Sequence, residues 1–268
     1  MIHPTDNLPL ISVVIPTYNY AAFLPRAIDS VLQQTYSNYE VIVIDDGSTD
    51  DTVQVVPCSD RVLYFYQQNK GLAAARNAGI EKASGQYLLF LDADDWLEPA
   101  ALETNYAVLK DKPETAFVSG SHRFLKATTN QLYTVTVSVA SEHYSRLLES
   151  NYIGMHATVL FQRWVFDALR YDESLPSCED YDLYLRIARH HPVLHHEPVI
   201  ATYYFHPSGL SHNYEAMRDS IRAVMQKQAP YIRSAGERKA YEAGLQQWKV
   251  YDEMLHTAEA CDKVEAVS

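Results

Sequence analysis

Four short apolar runs punctuate the first hundred residues, at 10–16, 39–44, 61–66 and 87–91. Each has the length of a buried strand. Helical spacing returns between them, at Leu24, Ile28, Val31 and Leu32, and again from Leu72 to Lys82. Strands that alternate with helices call for parallel pairing through crossovers, and so for an α/β fold with helices on both faces of the sheet. Open sheets of this kind collect ligands at the carboxyl ends of their strands. Chemistry is therefore expected in the turns that leave those ends.

Those turns are acidic. The run at 87–91 ends in Asp92-Ala93-Asp94-Asp95, and alternation along an extended chain would put Asp92 and Asp94 on one face. Paired carboxylates repel unless a cation lies between them, and a divalent metal carrying a phosphorylated substrate meets that need. The plainer alternative is a solvated cap for a helix starting near Pro99. Asp45-Asp46 closes the second run, and Glu179-Asp180 opens a helix marked by Tyr181, Tyr184, Leu185 and Ala188. Asn69 to Gly79 is a glycine-containing loop entering a helix, with Lys70 and Arg76 as cations suited to a diphosphate. Arg76 falls about one and a half turns into that helix, so its plainer role is a salt bridge to an acidic strand end.

Beyond residue 100 the pattern predicts a helix at 100–109, strands at 116–119, 131–139, 156–161 and 193–205, and a short helix at 142–148. Met217, Ile221, Val224 and Met225 mark a further helix that Pro230 closes, and Tyr241, Leu245, Trp248, Tyr251 and Leu255 mark another. The expected organisation is one domain over 1–211 in two halves (1–100 and 101–211), which the family resemblance given below would make nucleotide-binding and acceptor halves. A helical extension over 212–268 follows, packed on the same chain or forming a homodimer face. The pairs His190-His191 and His195-His196 lack helical i, i+4 geometry and read as surface residues.

The formal net charge of −12 argues against nucleic acid as a partner. It also means that a polyphosphate would need cations. Three scattered cysteines imply a reducing cytosol. The first seven residues carry no basic n-region, and no stretch reaches the roughly 20 apolar residues of a membrane span. A cytoplasmic protein is expected, with peripheral contact at the inner face of a membrane left open.

Taken with Val14-Ile15-Pro16-Thr17-Tyr18-Asn19 and Asn69 to Gly79, the acidic clusters give a sequence that strongly resembles glycosyltransferase family 2. These are inverting nucleotide-sugar transferases of the GT-A fold, a Rossmann-like, mostly parallel sheet flanked by helices. The likeness is densest over 10–100 and returns at 154–211. It implies that Pro16, Thr17, Tyr18 and Asn19 hold the nucleotide base and that Asp46 accepts a hydrogen bond from it. A carboxylate suits the ring N–H of uracil, hence a UDP-sugar donor. Lys70 and Arg76 would lie near that donor. In the Asp-X-Asp signature, Asp92 would meet the ribose or a metal-bound water, Ala93 is the middle residue, and Asp94 would bind Mg2+ or Mn2+. His206 would be a further metal ligand, although Tyr204 stands where relatives carry an Arg. Asp180 would be the general base, supported by Glu179, in a single displacement that inverts the anomeric carbon. The acceptor class (glycan, lipid-linked, protein or small molecule) stays open. His156, Trp164 and some of the 20 tyrosines are candidates to line its groove. Two rival readings are a sugar-nucleotide nucleotidyltransferase and a non-catalytic nucleotide-sugar-binding protein. The first would want a glycine- and arginine-rich loop after the first strand, which Pro16 to Asn19 does not supply. A dinucleotide oxidoreductase would want Gly-X-Gly-X-X-Gly there, also missing.

Overall fold

A computed structural model describes residues 8–207, 209 and 214–249. The N-terminal heptapeptide, Ser208, Leu210, Ser211, Tyr251, Leu255 and Cys261 lie outside the described residues. Strand β1 (Ile11–Thr17) is buried along its whole length. It pairs in parallel with β2 (Tyr39–Asp45) on one side and β4 (Tyr87–Phe90) on the other, and β2 pairs with β3 (Val62–Tyr66). The connecting helices are α1 (Leu24–Leu32), the single turn α2 (Thr52–Val55) and α3 (Leu72–Lys82). A two-residue strand β5 (Trp96–Leu97) and α4 (Ala101–Leu109) follow. The second half adds β6 (Phe117–Lys126), β7 (Gln131–Val135), α5 (His143–Glu149), β8 (Leu160–Gln162), α6 (Glu179–Ala188), β9 (Val193–Phe205) and α7 (Tyr214–Gln228). The sheet order is β3-β2-β1-β4-β8-β6-β9-β5, with β7 on the outside of β6.

The expected α/β fold is what forms, with the long registers parallel. The pairing is nevertheless not uniform, because β8 lies antiparallel between β4 and β6, and β5 and β7 are antiparallel too. Only three residues long, β8 enters from a 3-10 turn at His156–Thr158 rather than as the strand expected from 156. Its neighbour β6 runs well past the expected 119, and β7 stops at Val135 instead of 139. No pattern announced β5, whose two residues are too few to show a period.

Two buried clusters sandwich the sheet. Ile11, Val13, Ile15, Val41, Val43 and Leu89 meet α1 and α4 on one face; Val14, Ile42, Ile44, Leu88, Phe90, Phe117 and Phe161 meet α3, α5 and α6 on the other. Gly79 lets α3 lie directly on β1: a Cβ there would fall 2.2 Å from Val14 Cγ1. Ile221, Val224 and Met225 of α7, with Ala240 of the last described helix (235–249), join the second cluster. Trp248 packs against Tyr181, and Gly244 abuts the Leu148 carbonyl. The C-terminal helices thus pack on α5 and α6 of their own chain. The paired histidines are less uniformly exposed than the sequence suggests. His195 meets Ser119 Oγ at 2.8 Å and the Val137 carbonyl at 2.8 Å, and His196 meets Asn105 Oδ1 at 2.8 Å, because β9 carries them into the sheet. Among the described residues no helix is long and apolar enough to cross a membrane.

Candidate active site

The loop after β1 is fastened to the turn after β2. Asn19 takes a left-handed backbone (φ 57°), and its Oδ1 accepts from the Thr49 N–H at 2.7 Å; its own N–H donates to Ser48 Oγ at 2.9 Å. Pro16 is buried within β1 opposite Ile44, and Tyr18 is 46% exposed beside it. Thr17 presents a buried Oγ1 with no hydrogen-bond partner among the described residues. A buried hydroxyl left this way is costly, so an orphan at a strand's carboxyl end marks a place made for a ligand's polar atom.

Both aspartates closing β2 are buried and occupied. Asp45 accepts from the Ser48 N–H at 2.8 Å and the Tyr64 hydroxyl at 2.6 Å. Asp46 accepts from Gln67 Nε2 at 2.6 Å, the Lys70 N–H at 3.0 Å and the Gly71 N–H at 2.7 Å. Gly71 has φ 92°, which only glycine adopts cheaply, and this aims two successive amides at one carboxylate. Asp46 therefore anchors the entry to α3, a task its sequence motif did not reveal. Lys70 itself is exposed. With Gln67, Asn77, Arg170 and Glu173 it lines a groove of about 600 Å³ beside α3 that includes none of Asp92, Asp94, Asp95 or Asp180.

The chain turns sharply after β4, with the Asp95 N–H bonded to the Asp92 carbonyl at 3.0 Å. The pleat argument for Asp92 and Asp94 accordingly does not apply, since the strand ends at Phe90 and the turn sets their directions. Asp92 faces Arg76 Nη2 at 2.6 Å, and Asp94 Oδ2 faces His206 Nε2 at 3.0 Å. Ala93 points into the core beside α1. Asp95 is 2% exposed and accepts the Tyr204 N–H at 2.8 Å. Burial, and then the charge of Asp92, raises the Asp94 pKa; burial and the charges of Asp94 and Asp92 raise that of Asp95 well above the usual range.

Arg76 is 2% exposed and joins two acidic clusters: one nitrogen pairs with Asp92 and the other with Glu179, and its Nε has no partner among the described residues. Glu179 is likewise buried. Asp180, half-buried one residue further on, accepts its hydrogen bond from the Tyr181 N–H at 2.7 Å. Burial and the neighbouring Glu179 push its pKa up to about 7, against the pull of Arg76. His156 packs inside the second cluster, stacked on Phe90. It is buried, with Nδ1 against the Tyr184 hydroxyl at 2.5 Å and Nε2 against the Tyr171 hydroxyl at 2.7 Å. Trp164 packs on His191 and donates to the Pro113 carbonyl at 3.2 Å.

Sequence reasoning missed Arg26. Its guanidinium lies 3.8 Å from the Trp96 ring centroid and 4.5 Å from that of Tyr204, and it donates to the Asp94 carbonyl at 2.8 Å. Phe23 stacks on His206 at 4.6 Å, Tyr204 stacks on His206 at 5.4 Å, and the Phe23 and Tyr204 rings lie 6.1 Å apart, so all three touch one another. Tyr204 is therefore part of a ring cluster that packs on Arg26 and on the His206 ring, next to the acidic turn. No sequence period connects these positions.

Among the described residues no three His, Cys, Asp or Glu side chains group as a metal cage. Asp94 and His206 fit a different arrangement, since a carboxylate and an imidazole 3.0 Å apart can hold a hard divalent ion that takes its other ligands from a diphosphate and water. The raised Asp94 pKa agrees, for a carboxylate crowded by burial and by Asp92 gains from a cation.

The family model for glycosyl transferase family 2 matches residues 12–168. An uncharacterized glycosyltransferase of Haemophilus influenzae is 38% identical over 184 residues, which make up 67% of this chain and 72% of that one. Another from Rickettsia typhi is 34% identical over 193 residues, covering 68% of this chain and 59% of its own length. Among solved structures, Staphylococcus aureus TarS residues 1–349 in complex with UDP superposes with a TM-score of 0.67 at 19% identity, over 88% of this chain and 70% of that one. The mannosyltransferase PcManGT of Pyrobaculum calidifontis, in complex with GDP-Man and Mn2+, does so with a TM-score of 0.68 at 19% identity, over 89% and 70%.

Proposed function

The chain belongs to glycosyltransferase family 2, and on that footing we propose that it moves a sugar from a nucleotide-diphosphate donor, UDP-linked, onto an acceptor hydroxyl with inversion. The observation that carries this reading is the buried Arg76 bridge. One nitrogen of its guanidinium pairs with Asp92 and another with Glu179, so the acidic turn that holds the metal candidate and the helix start that holds the base candidate meet although they are far apart in sequence. The family neighbours with UDP and with GDP-Man and Mn2+ support a nucleotide-sugar donor and a divalent ion.

Thr17, with its unpartnered hydroxyl, and the adjoining Tyr18 and Asn19 receive the base, beside a loop that Asp46 keeps rigid. Asp94 and His206 would hold Mn2+ or Mg2+, and the ion would supply charge neutralisation for the departing diphosphate, worth several kcal/mol. Asp180 takes the proton of the acceptor hydroxyl as its oxygen attacks. A base with a pKa of about 7 is matched to that work near neutral pH. Glu179 and Arg76 hold the base helix against the acidic turn and so keep the two reacting groups in register.

A thermal-shift series with UDP-, GDP- and dTDP-sugars, each with and without manganese, tests the reading. At a hundredfold excess over Kd, the true donor is expected to add about 2.7 kcal/mol of stability. No shift with any nucleotide sugar would overturn the proposal.

A further inference from the structure

The segment that leaves the acidic turn and forms β5 is gripped along its backbone by one line of side chains. Arg26 and Ser30 of α1, and Gln34 just past its end, follow at four-residue intervals, the spacing that places side chains on one face of a helix. Arg26 Nη2 donates to the Asp94 carbonyl at 2.8 Å, Ser30 Oγ accepts from the Leu97 N–H at 3.0 Å, and Gln34 Nε2 donates to the Glu98 carbonyl at 2.7 Å. Ser30 and Gln34 hold β5 and its exit. Arg26 is the one of the three that reaches the residue facing His206.

Arg26 also stacks. Its guanidinium lies 3.8 Å from the Trp96 ring centroid and 4.5 Å from that of Tyr204, and those two rings are 6.0 Å apart. The Tyr204 N–H donates to buried Asp95 at 2.8 Å, and the Tyr204 ring stacks on His206 at 5.4 Å. One cation therefore touches a support of each metal candidate: the main chain of Asp94 directly, and the His206 ring through Tyr204. Asp94 Oδ2 and His206 Nε2 are 3.0 Å apart but belong to residues 112 positions apart. Their spacing depends on what fastens the acidic turn to the end of β9. A guanidinium suits that task, since its faces meet rings while an edge N–H donates in its plane; an ammonium has no plane to lay on a ring.

We propose that Arg26 is a positioning residue for the divalent ion, holding Asp94 and His206 at the separation that binds manganese or magnesium. This rests on the sugar-transfer reading and its metal, and it can fail while the nucleotide-sugar donor stands.

The test is a manganese titration of the full chain at saturating UDP, followed by Tm, with UDP binding measured in parallel without metal. Groups that orient metal ligands from behind typically change metal affinity about 10–100-fold when altered. Arg26→Lys keeps the charge and loses the plane; it is expected to weaken the apparent manganese affinity about tenfold and to leave metal-free UDP binding within about twofold of wild type. Trp96→Leu removes one ring face and should weaken manganese binding in the same direction. The double variant should lose less than the two single losses combined, because both act on one contact. Arg61→Lys, whose guanidinium lies over Tyr39 at 5.0 Å beside the start of β3, should match wild type in both measurements. Manganese affinity unchanged in Arg26→Lys, even with a lower urea midpoint, would overturn the proposal and leave the donor reading intact. If Arg26→Lys does not fold, Trp96→Leu decides in its place by the same criterion. Tighter manganese binding in Arg26→Gln would also overturn it, by showing that the guanidinium acts on the ion through repulsion. A wild type that binds UDP neither with nor without manganese would defeat the sugar-transfer reading and this proposal with it.

Discussion

Arg76 of α3 and Glu179 of α6 form a buried ion pair between residues 103 positions apart, with side chains 3% and 5% exposed. A second nitrogen of the same guanidinium holds Asp92. Removing one partner of a buried pair leaves the other charge without compensation, which costs far more than the pair itself gains. Arg76→Met is expected to lose about 3–5 kcal/mol of stability, read as a lower urea midpoint at unchanged m-value. Arg76→Lys should restore little, because Asp92 and Glu179 are each met by a different nitrogen of the planar fork, which a single ammonium does not reproduce.

Asp180 links pH to both rate and stability. As a base it works when deprotonated, so turnover should rise as pH increases through about 7 and fall below it. Its pKa is raised from 3.8, so the folded chain holds a proton there that the unfolded chain releases. The stability this supplies is full below the unfolded value and is lost as pH rises through the folded one. Asp180→Asn should therefore abolish sugar transfer while keeping UDP binding, and its urea midpoint should exceed that of wild type by an amount that grows as pH rises from about 4 and levels off above about 7. Unchanged turnover in the variant would remove Asp180 from the mechanism.

Asp94→Asn and His206→Ala address the metal. Each should lose most of the manganese-dependent part of the UDP-sugar thermal shift while keeping the metal-free part, because the base contacts lie at Thr17 to Asn19. Manganese titration followed by Tm reads the difference. Equal manganese dependence in wild type and both variants would move the ion elsewhere.

Lys227 of α7 reaches Asp182 at 2.6 Å and Asp172 at 2.7 Å; Asp182 is fully buried and also pairs with Arg186. Asp182 lies two residues beyond the proposed base, so α7 grips the helix that aims it. Lys227→Met should cost about 1–2 kcal/mol, less than a fully enclosed pair because the lysine is about one-third exposed and Arg186 stays. It should also lower kcat with little change in the donor KM, which urea denaturation and steady-state kinetics separate.

The first four strands, α1 and α3 were legible because each is an apolar run or a helical spacing over enough residues, whereas the single turn α2 was not announced. Elements with few residues were not: β5 has two and β8 three, and antiparallel entry of β8 depends on chain reversals that no local pattern encodes. At the site, the acidic positions could be read from composition and order, whereas their partners could not. Asp46 shows this best, since a motif reading assigns it to a ligand while the fold gives it three protein donors. Arg26 between Trp96 and Tyr204, and Lys227 against Asp182, depend on tertiary contacts across long stretches of sequence. For Arg76 the plainer sequence alternative, a salt bridge to an acidic strand end, describes the observed contact with Asp92; the second partner, Glu179, was not foreseeable.

The doubly bonded guanidinium also bears on how such chains can diverge. An ancestral crossover anywhere between positions 76 and 179 would unite an arginine from one parent with an acidic partner from the other. Offspring would stay folded only where both parents agreed at all three positions. Segments on either side of that join are therefore expected to diverge through substitutions that spare these three positions rather than through the shuffling of whole segments.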